Sequence, residues 1–94
     1  MANTSLSVVL PAHNEEENIA NTVSDCISYL DSNFPKYEVI VVNDGSRDRT
    51  REIVEALSRQ NPAVVLVNHE VNKDYGSALR SGCDKASMDY IFFM

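Results

Sequence analysis

Asp44 stands between the apolar run Val39-Ile40-Val41-Val42 and Gly45, so its carboxylate is carried to the end of a buried strand on a rigid stem, next to a residue whose backbone can approach a ligand. An ionised carboxylate only accepts hydrogen bonds. It therefore suits uracil or guanine, whose ring N–H is a donor, and repels adenine or cytosine, which offer an acceptor at the equivalent ring nitrogen. The same Asp44-Gly45-Ser46 string also suits a turn and helix cap, because Asp and Ser are favoured in both, and the sequence leaves the two roles open. Asp48 reads as the N-cap of the helix that follows.

His13 lies in Pro11-Ala12-His13-Asn14-Glu15, just past the first apolar run. There its ring can pack on a base or bond a ribose or phosphate, or stay an exposed loop histidine. Glu15 is in reach of a ribose hydroxyl, whereas Glu16 and Glu17 read as a solvated first helical turn. Lys73 precedes Tyr75-Gly76-Ser77-Ala78, a helix start whose amides and dipole favour phosphate. A lone lysine among Asp44, Asp48, Asp74 and Glu15 supplies little positive charge, so a nucleoside diphosphate here implies a divalent cation bridging carboxylate and phosphate oxygens. No ligand pair for that ion is visible, and its ligands are expected past Met94. His13 and His69 come from different loops, and no Cys or carboxylate spacing completes a metal set around them. The G-x-G-x-x-G, G-x-x-x-x-G-K-[ST] and G-x-S-x-G patterns are absent, which removes the dinucleotide, P-loop and hydrolase-elbow readings.

The elements that must position these groups follow from periodicity. Short β-branched or aromatic runs at residues 6–10, 39–42, 63–67 and 90–94 fit strands covered on both faces. Between them, 15–30, 50–60 and 77–86 repeat apolar residues at helical spacing, with Glu15, Glu16 and Glu17 expected in the first turn of the first helix. The order β-α-β-α-β-α-β predicts an α/β class, Rossmann-like, with three α/β/α layers on a mainly parallel sheet. In such a sheet every β-to-α loop emerges on one edge, so 11–15, 43–48 and 72–76 should converge.

The 94 residues allow one core, and a net charge of −6 argues against nucleic-acid or anionic-membrane binding, which need a basic face. Cys26 and Cys83 read as small buried apolar residues. No basic n-region or membrane-length apolar run is present, so a cytoplasmic location is expected, any membrane segment of a parent protein lying beyond Met94. The final run, Tyr90-Ile91-Phe92-Phe93-Met94, has no turn or polar tail after it, as though the chain stopped in mid-strand.

Three segments, Val8-Val9-Leu10-Pro11-Ala12-His13-Asn14-Glu15-Glu16, then Glu38-Val39-Ile40-Val41-Val42-Asn43-Asp44-Gly45-Ser46-Arg47-Asp48-Arg49-Thr50, then Gly76-Ser77-Ala78-Leu79-Arg80-Ser81-Gly82, together resemble family-two glycosyltransferases of the GT-A fold. Each motif is common alone; their order and spacing across the whole chain carry the resemblance. It implies that residues 1–94 are the amino-terminal nucleotide-binding half of a glycosyltransferase domain, cut before a D-x-D motif that holds the cation. It also implies a parent enzyme that transfers a sugar, with inversion, from a UDP- or GDP-linked donor to a carbohydrate or polyprenyl phosphate acceptor. Pro11, Ala12, His13 and Glu15 would hold base and ribose, Asp44 would bond the base, and Lys73 and Gly76 would flank the diphosphate. His13 stands where Tyr or Phe is usual, and Asn43 replaces the commoner first Asp of a D-D-G-S pattern. No catalytic residue is expected within the 94 residues, and the uncovered fourth strand should favour self-association. The alternative is a freestanding, non-catalytic nucleotide-binding or dimerisation module.

Overall fold

The computed structural model describes residues 4–94. Its elements are β1 (Ser5–Ala12), α1 (Ile19–Asn33), β2 (Lys36–Asp44), α2 (Thr50–Gln60), β3 (Val64–His69), α3 (Tyr75–Lys85) and β4 (Tyr90–Phe93). The sheet order is β3-β2-β1-β4 with every neighbour parallel, as the alternating strands and helices require.

The β-branched runs of β1 and β2 are buried on both faces: Val9, Val39, Ile40, Val41 and Val42 are each 0% exposed. Strand alternation sends Val8, Leu10, Val39 and Val41 to one face, where Ile19, Val23 and Leu30 of α1 and Val54 of α2 cover them. Val9, Ile40 and Val42 point the other way and meet Ala78 of α3. α3 comes unusually near the sheet, since a Cβ on Gly82 would lie 2.3 Å from Val9 Cγ1. The three α/β/α layers expected from the sequence are therefore present.

Cover on both faces does not extend to β4. It is an edge strand beside β1 alone, and Tyr90 and Phe92 are 63% and 57% exposed. An apolar groove of about 700 Å³ separates it from α1, lined by Leu6, Val8, Cys26, Leu30 and Phe92 among others. Among the described residues no helix is long and apolar enough to cross a membrane.

Two helix starts differ from the periodicity. Glu15, Glu16 and Glu17 lie outside α1, which begins at Ile19; the amides of Asn18 and Ile19 both donate to Glu15 O, closing a separate turn ahead of the helix. α3 starts at Tyr75 because the Asp74 carboxylate accepts from Ser77 N at 2.6 Å and caps it. For α2 the cap position is Arg49 rather than Asp48, but the Asp48 side chain still performs the capping, accepting from Thr50 N at 2.9 Å.

At the amino edge of the sheet a polar clamp sets β4 against β1. Ser7 and Glu38 are register partners, and Glu38 Oε2 accepts from Ser7 Oγ at 2.6 Å, Ser87 N at 2.7 Å and Ser87 Oγ at 3.0 Å. Ser7 Oγ accepts in turn from Met88 N at 3.2 Å, and Ser5 Oγ from Asp89 N at 2.9 Å. Burial by itself would raise the Glu38 carboxyl, but the donors from Ser7 and Ser87 and the nearby Lys85 charge outweigh it and hold it below the usual glutamate range.

Replacing Gly82 with Ala should destabilise the fold by about 1–3 kcal/mol, read as a lower midpoint in urea unfolding, because the new methyl has to displace Val9. An unchanged midpoint would show that α3 can shift away freely. Glu38→Ala should cost about 2–3 kcal/mol at neutral pH. Because the folded carboxyl is depressed, this stabilisation is present above the ordinary glutamate range and lost as pH falls through the folded value. The stability gap between wild type and Glu38→Ala should thus shrink as pH falls below the ordinary glutamate value of about 4.3; a gap that keeps its size on acidification rules out an ionised acceptor.

Candidate functional site at the carboxyl edge of the sheet

The chain winds outward from β1 to β2 and β3, then returns to place β4 on the other side of β1. This reversal is the topological switch point of an open parallel sheet, where the flanking loops separate and leave a crevice beyond the strand ends. A cleft of about 290 Å³ lies there, walled by Pro11, Ala12 and His13 at the end of β1, Asp44 at the end of β2, and Tyr75 and Ala78 of α3.

Asp44 is 7% exposed. Its Oδ1 meets His69 Nδ1 at 2.9 Å and accepts from Lys73 N at 3.0 Å, whereas no hydrogen bond to Oδ2 is found among the described residues. Burial would raise the carboxyl, but the His69 side-chain bond, the Lys73 amide and the neighbouring His69 and His13 rings outweigh it and keep it below the usual aspartate range. The group is an acceptor at neutral pH. Gly45, which the sequence left free to approach a ligand, is half-buried. It adopts a φ of +68° and is pressed against the next loop, where a Cβ would lie 2.1 Å from Asn72 N.

His13 Nδ1 donates to Asp44 O at 2.8 Å, and Nε2 lies 3.3 Å from the Nδ2 atoms of both Asn14 and Asn72. The ring is thereby held between the cleft and a second, more polar one of about 480 Å³ that includes Asn14, Arg47 and Glu70. The loops after β1 and β2 are stitched together. Asn14, in the left-handed region at φ 53°, accepts from Arg47 N at 2.8 Å and donates its own N–H to Ser46 Oγ at 2.9 Å. Glu15 N donates to Thr50 Oγ1 at 2.8 Å, Glu16 N to Asp48 Oδ2 at 3.1 Å, and Arg49 N to Glu16 Oε1 at 3.0 Å. Glu16 is therefore a cross-loop tie and not a solvated helical residue, which also explains why α1 starts late.

Pro11, Ala12, His13 and Asp44 are thus brought together at one cleft. Glu15 stands beside it, on a small neighbouring cleft that shares the Pro11 wall. Lys73 contributes its amide to Asp44. Gly76 lies in the first turn of α3, and a Cβ there would meet only Asp74 Oδ1, at 3.4 Å. Asp74 already takes the Ser77 amide, so an acid occupies the helix end that the sequence reading offered to phosphate. Among the described residues no three His, Cys, Asp or Glu side chains come together as a metal set. Sequence reasoning missed His69, Ser81 and Asn72 as parts of the site. Counting register from the ends of two adjacent strands would have found His69, which is the direct partner of Asp44.

The Glycosyl transferase family 2 model matches residues 7–94. A dolichyl-phosphate beta-glucosyltransferase of Trichomonas vaginalis, ALG5A, is 37% identical over 87 residues, covering 87% of this chain and 27% of that protein. The chain spans about a quarter of the length of the curated relatives it matches. Residues 1–349 of S. aureus TarS in complex with UDP superpose with a TM-score of 0.80 at 29% identity, covering 97% of this chain and 27% of that one. The mannosyltransferase PcManGT of Pyrobaculum calidifontis, solved with GDP-Man and Mn2+, shares the fold at TM-score 0.79 and 20% identity, covering 97% and 26%. With a match running from the first strand to the last, on a parallel sheet of GT-A type, the chain belongs to glycosyl transferase family 2.

Proposed function

We propose that residues 1–94 are the amino-terminal, nucleotide-binding part of an enzyme that moves a sugar, with inversion, from a nucleotide-diphospho-sugar to an acceptor. The observation that carries this reading is Asp44: an ionised, strand-end carboxylate on the switch-point cleft, with Oδ1 engaged and Oδ2 free of protein partners among the described residues. Oδ2 accepts the ring N–H of the base, Pro11 and Ala12 form the wall against which the ring lies, and His13 closes its edge. Glu15 is placed for a ribose hydroxyl, and Lys73 and Gly76 lie towards the diphosphate. The TarS relative binds UDP, which favours a uridine donor over a guanosine one. The dolichyl-phosphate transferase among the relatives favours a polyprenyl phosphate acceptor over a carbohydrate.

The contribution of this part to the reaction is binding and orientation: it holds the donor by its base while the acceptor oxygen attacks the anomeric carbon and the nucleoside diphosphate departs. A divalent cation supports this reading through PcManGT, solved with Mn2+, and would stabilise charge on the leaving diphosphate. Its ligands are proposed to come from other parts of the full-length protein.

Asp44→Ala in the full-length protein should weaken binding of its preferred nucleotide, UDP or GDP, by roughly 10- to 150-fold, about 1.5–3 kcal/mol, while leaving ADP binding as it was. Calorimetric titration reads the loss directly. Equal affinity of wild type and variant for both UDP and GDP would remove Asp44 from base recognition.

A further inference from the structure

Parallel register sets His69, the last residue of β3, directly beside Asp44, the last residue of β2. Ser81 Oγ lies 2.8 Å from His69 Nε2, and His69 Nδ1 lies 2.9 Å from Asp44 Oδ1. An ionised carboxylate has no proton to give, so Nδ1 carries the hydrogen, while Nε2 is within hydrogen-bond distance of the Ser81 hydroxyl, which can either donate or accept. The ring is 8% exposed and engaged at both nitrogens, so it cannot turn without breaking a bond. Carboxylate torsions are otherwise broad and soft. Here the His69 ring and the Lys73 amide converge on a single oxygen and fix the plane.

We propose that His69, held by Ser81, is a positioning residue for nucleobase recognition: it anchors Asp44 through Oδ1 and so dedicates Oδ2 to the N–H of a uracil or guanine ring. The inference rests on the nucleotide-binding reading above. The acid–imidazole–hydroxyl line also has the outline of a hydrolytic triad. Ser81, however, sits inside α3, where the surrounding amides are committed to helical hydrogen bonds and none is left to stabilise an oxyanion. Its hydroxyl orients the ring and does not attack a substrate. Titratable groups near the pair include His13 from the loop after β1, Asp74 from the link into α3 and Tyr75 on the same cleft.

The test is calorimetric titration of UDP, GDP, ADP and CDP into the full-length protein and its Asp44→Ala, His69→Ala, His69→Asn and Ser81→Ala variants. His69→Ala should lose about 10-fold affinity for the preferred nucleotide, with ADP and CDP unmoved. His69→Asn, whose amide can donate from near the Nδ1 position, should recover to within about 3-fold of wild type. Combined with Asp44→Ala, His69→Ala should add no further loss, because the two act as one unit. Nitrogen NMR of wild type should show a proton on His69 Nδ1. If His69→Ala does not fold, the Asn and Ser81 variants and the NMR reading of Nδ1 carry the test. Unchanged affinity in the His69 variants, equal losses across all the nucleotides, or a His69 ring with no proton on Nδ1 overturns the positioning role. If Asp44→Ala loses affinity and the His69 variants do not, only this inference fails; if wild type and Asp44→Ala bind alike, the nucleotide-binding reading fails and takes this one with it.

Discussion

The buried strand β2 carries a carboxylate near each end of its α3-facing side, and both are gripped by donors from other elements. Glu38, Ile40, Val42 and Asp44 alternate with the residues facing α1 and α2, so all four look towards α3. Glu38 binds the backbone just after α3, at Ser87, and Asp44 binds the backbone just before it, at Lys73. Between these ties the helix lies close enough to the sheet that only a glycine fits against Val9. Carboxylates out of water are costly unless their oxygens are satisfied. The engagement of one oxygen of each carboxylate therefore constrains where α3 begins, where it ends and how β4 enters the sheet.

The same constraint connects packing to recognition. A cleft at a switch point is an outcome of topology, and many folds of this class have one. In this cleft His69 and Lys73 engage one oxygen of Asp44, and the other has no hydrogen-bond partner among the described residues. The stitched loops serve the same end. Asn14, Glu15 and Glu16 bond Ser46, Arg47, Asp48, Arg49 and Thr50, which ties the loop after β1 to the loop after β2. A site of this kind is pre-organised by cross-loop hydrogen bonds and by no large apolar contact of its own.

The two edges of the sheet also differ in kind. The amino edge spends its polar residues on itself, with Ser5, Ser7, Glu38 and Ser87 satisfying one another and the link into β4. The carboxyl edge leaves Asp44 Oδ2, the Glu15 carboxylate and the Lys73 side chain without protein partners among the described residues.

Much of this was legible in the residues themselves. Apolar runs of strand length separated by helical repeats specify an α/β alternation, because burial on both faces and burial on one stripe leave different periods in a sequence. Both ends of α2 were readable for the same reason, and Pro11, Ala12, His13 and Asp44 were found because strand-end loops of a parallel sheet must share an edge. The late start of α1, the close approach of Gly45 to Asn72 and the line from Ser81 through His69 to Asp44 were decided only in three dimensions. Each depends on which residue of one strand or loop faces which residue of another. Register is set by the packing of the entire sheet, and a one-residue slip would turn His69 to the opposite face and leave the Asp44 carboxylate without its anchor.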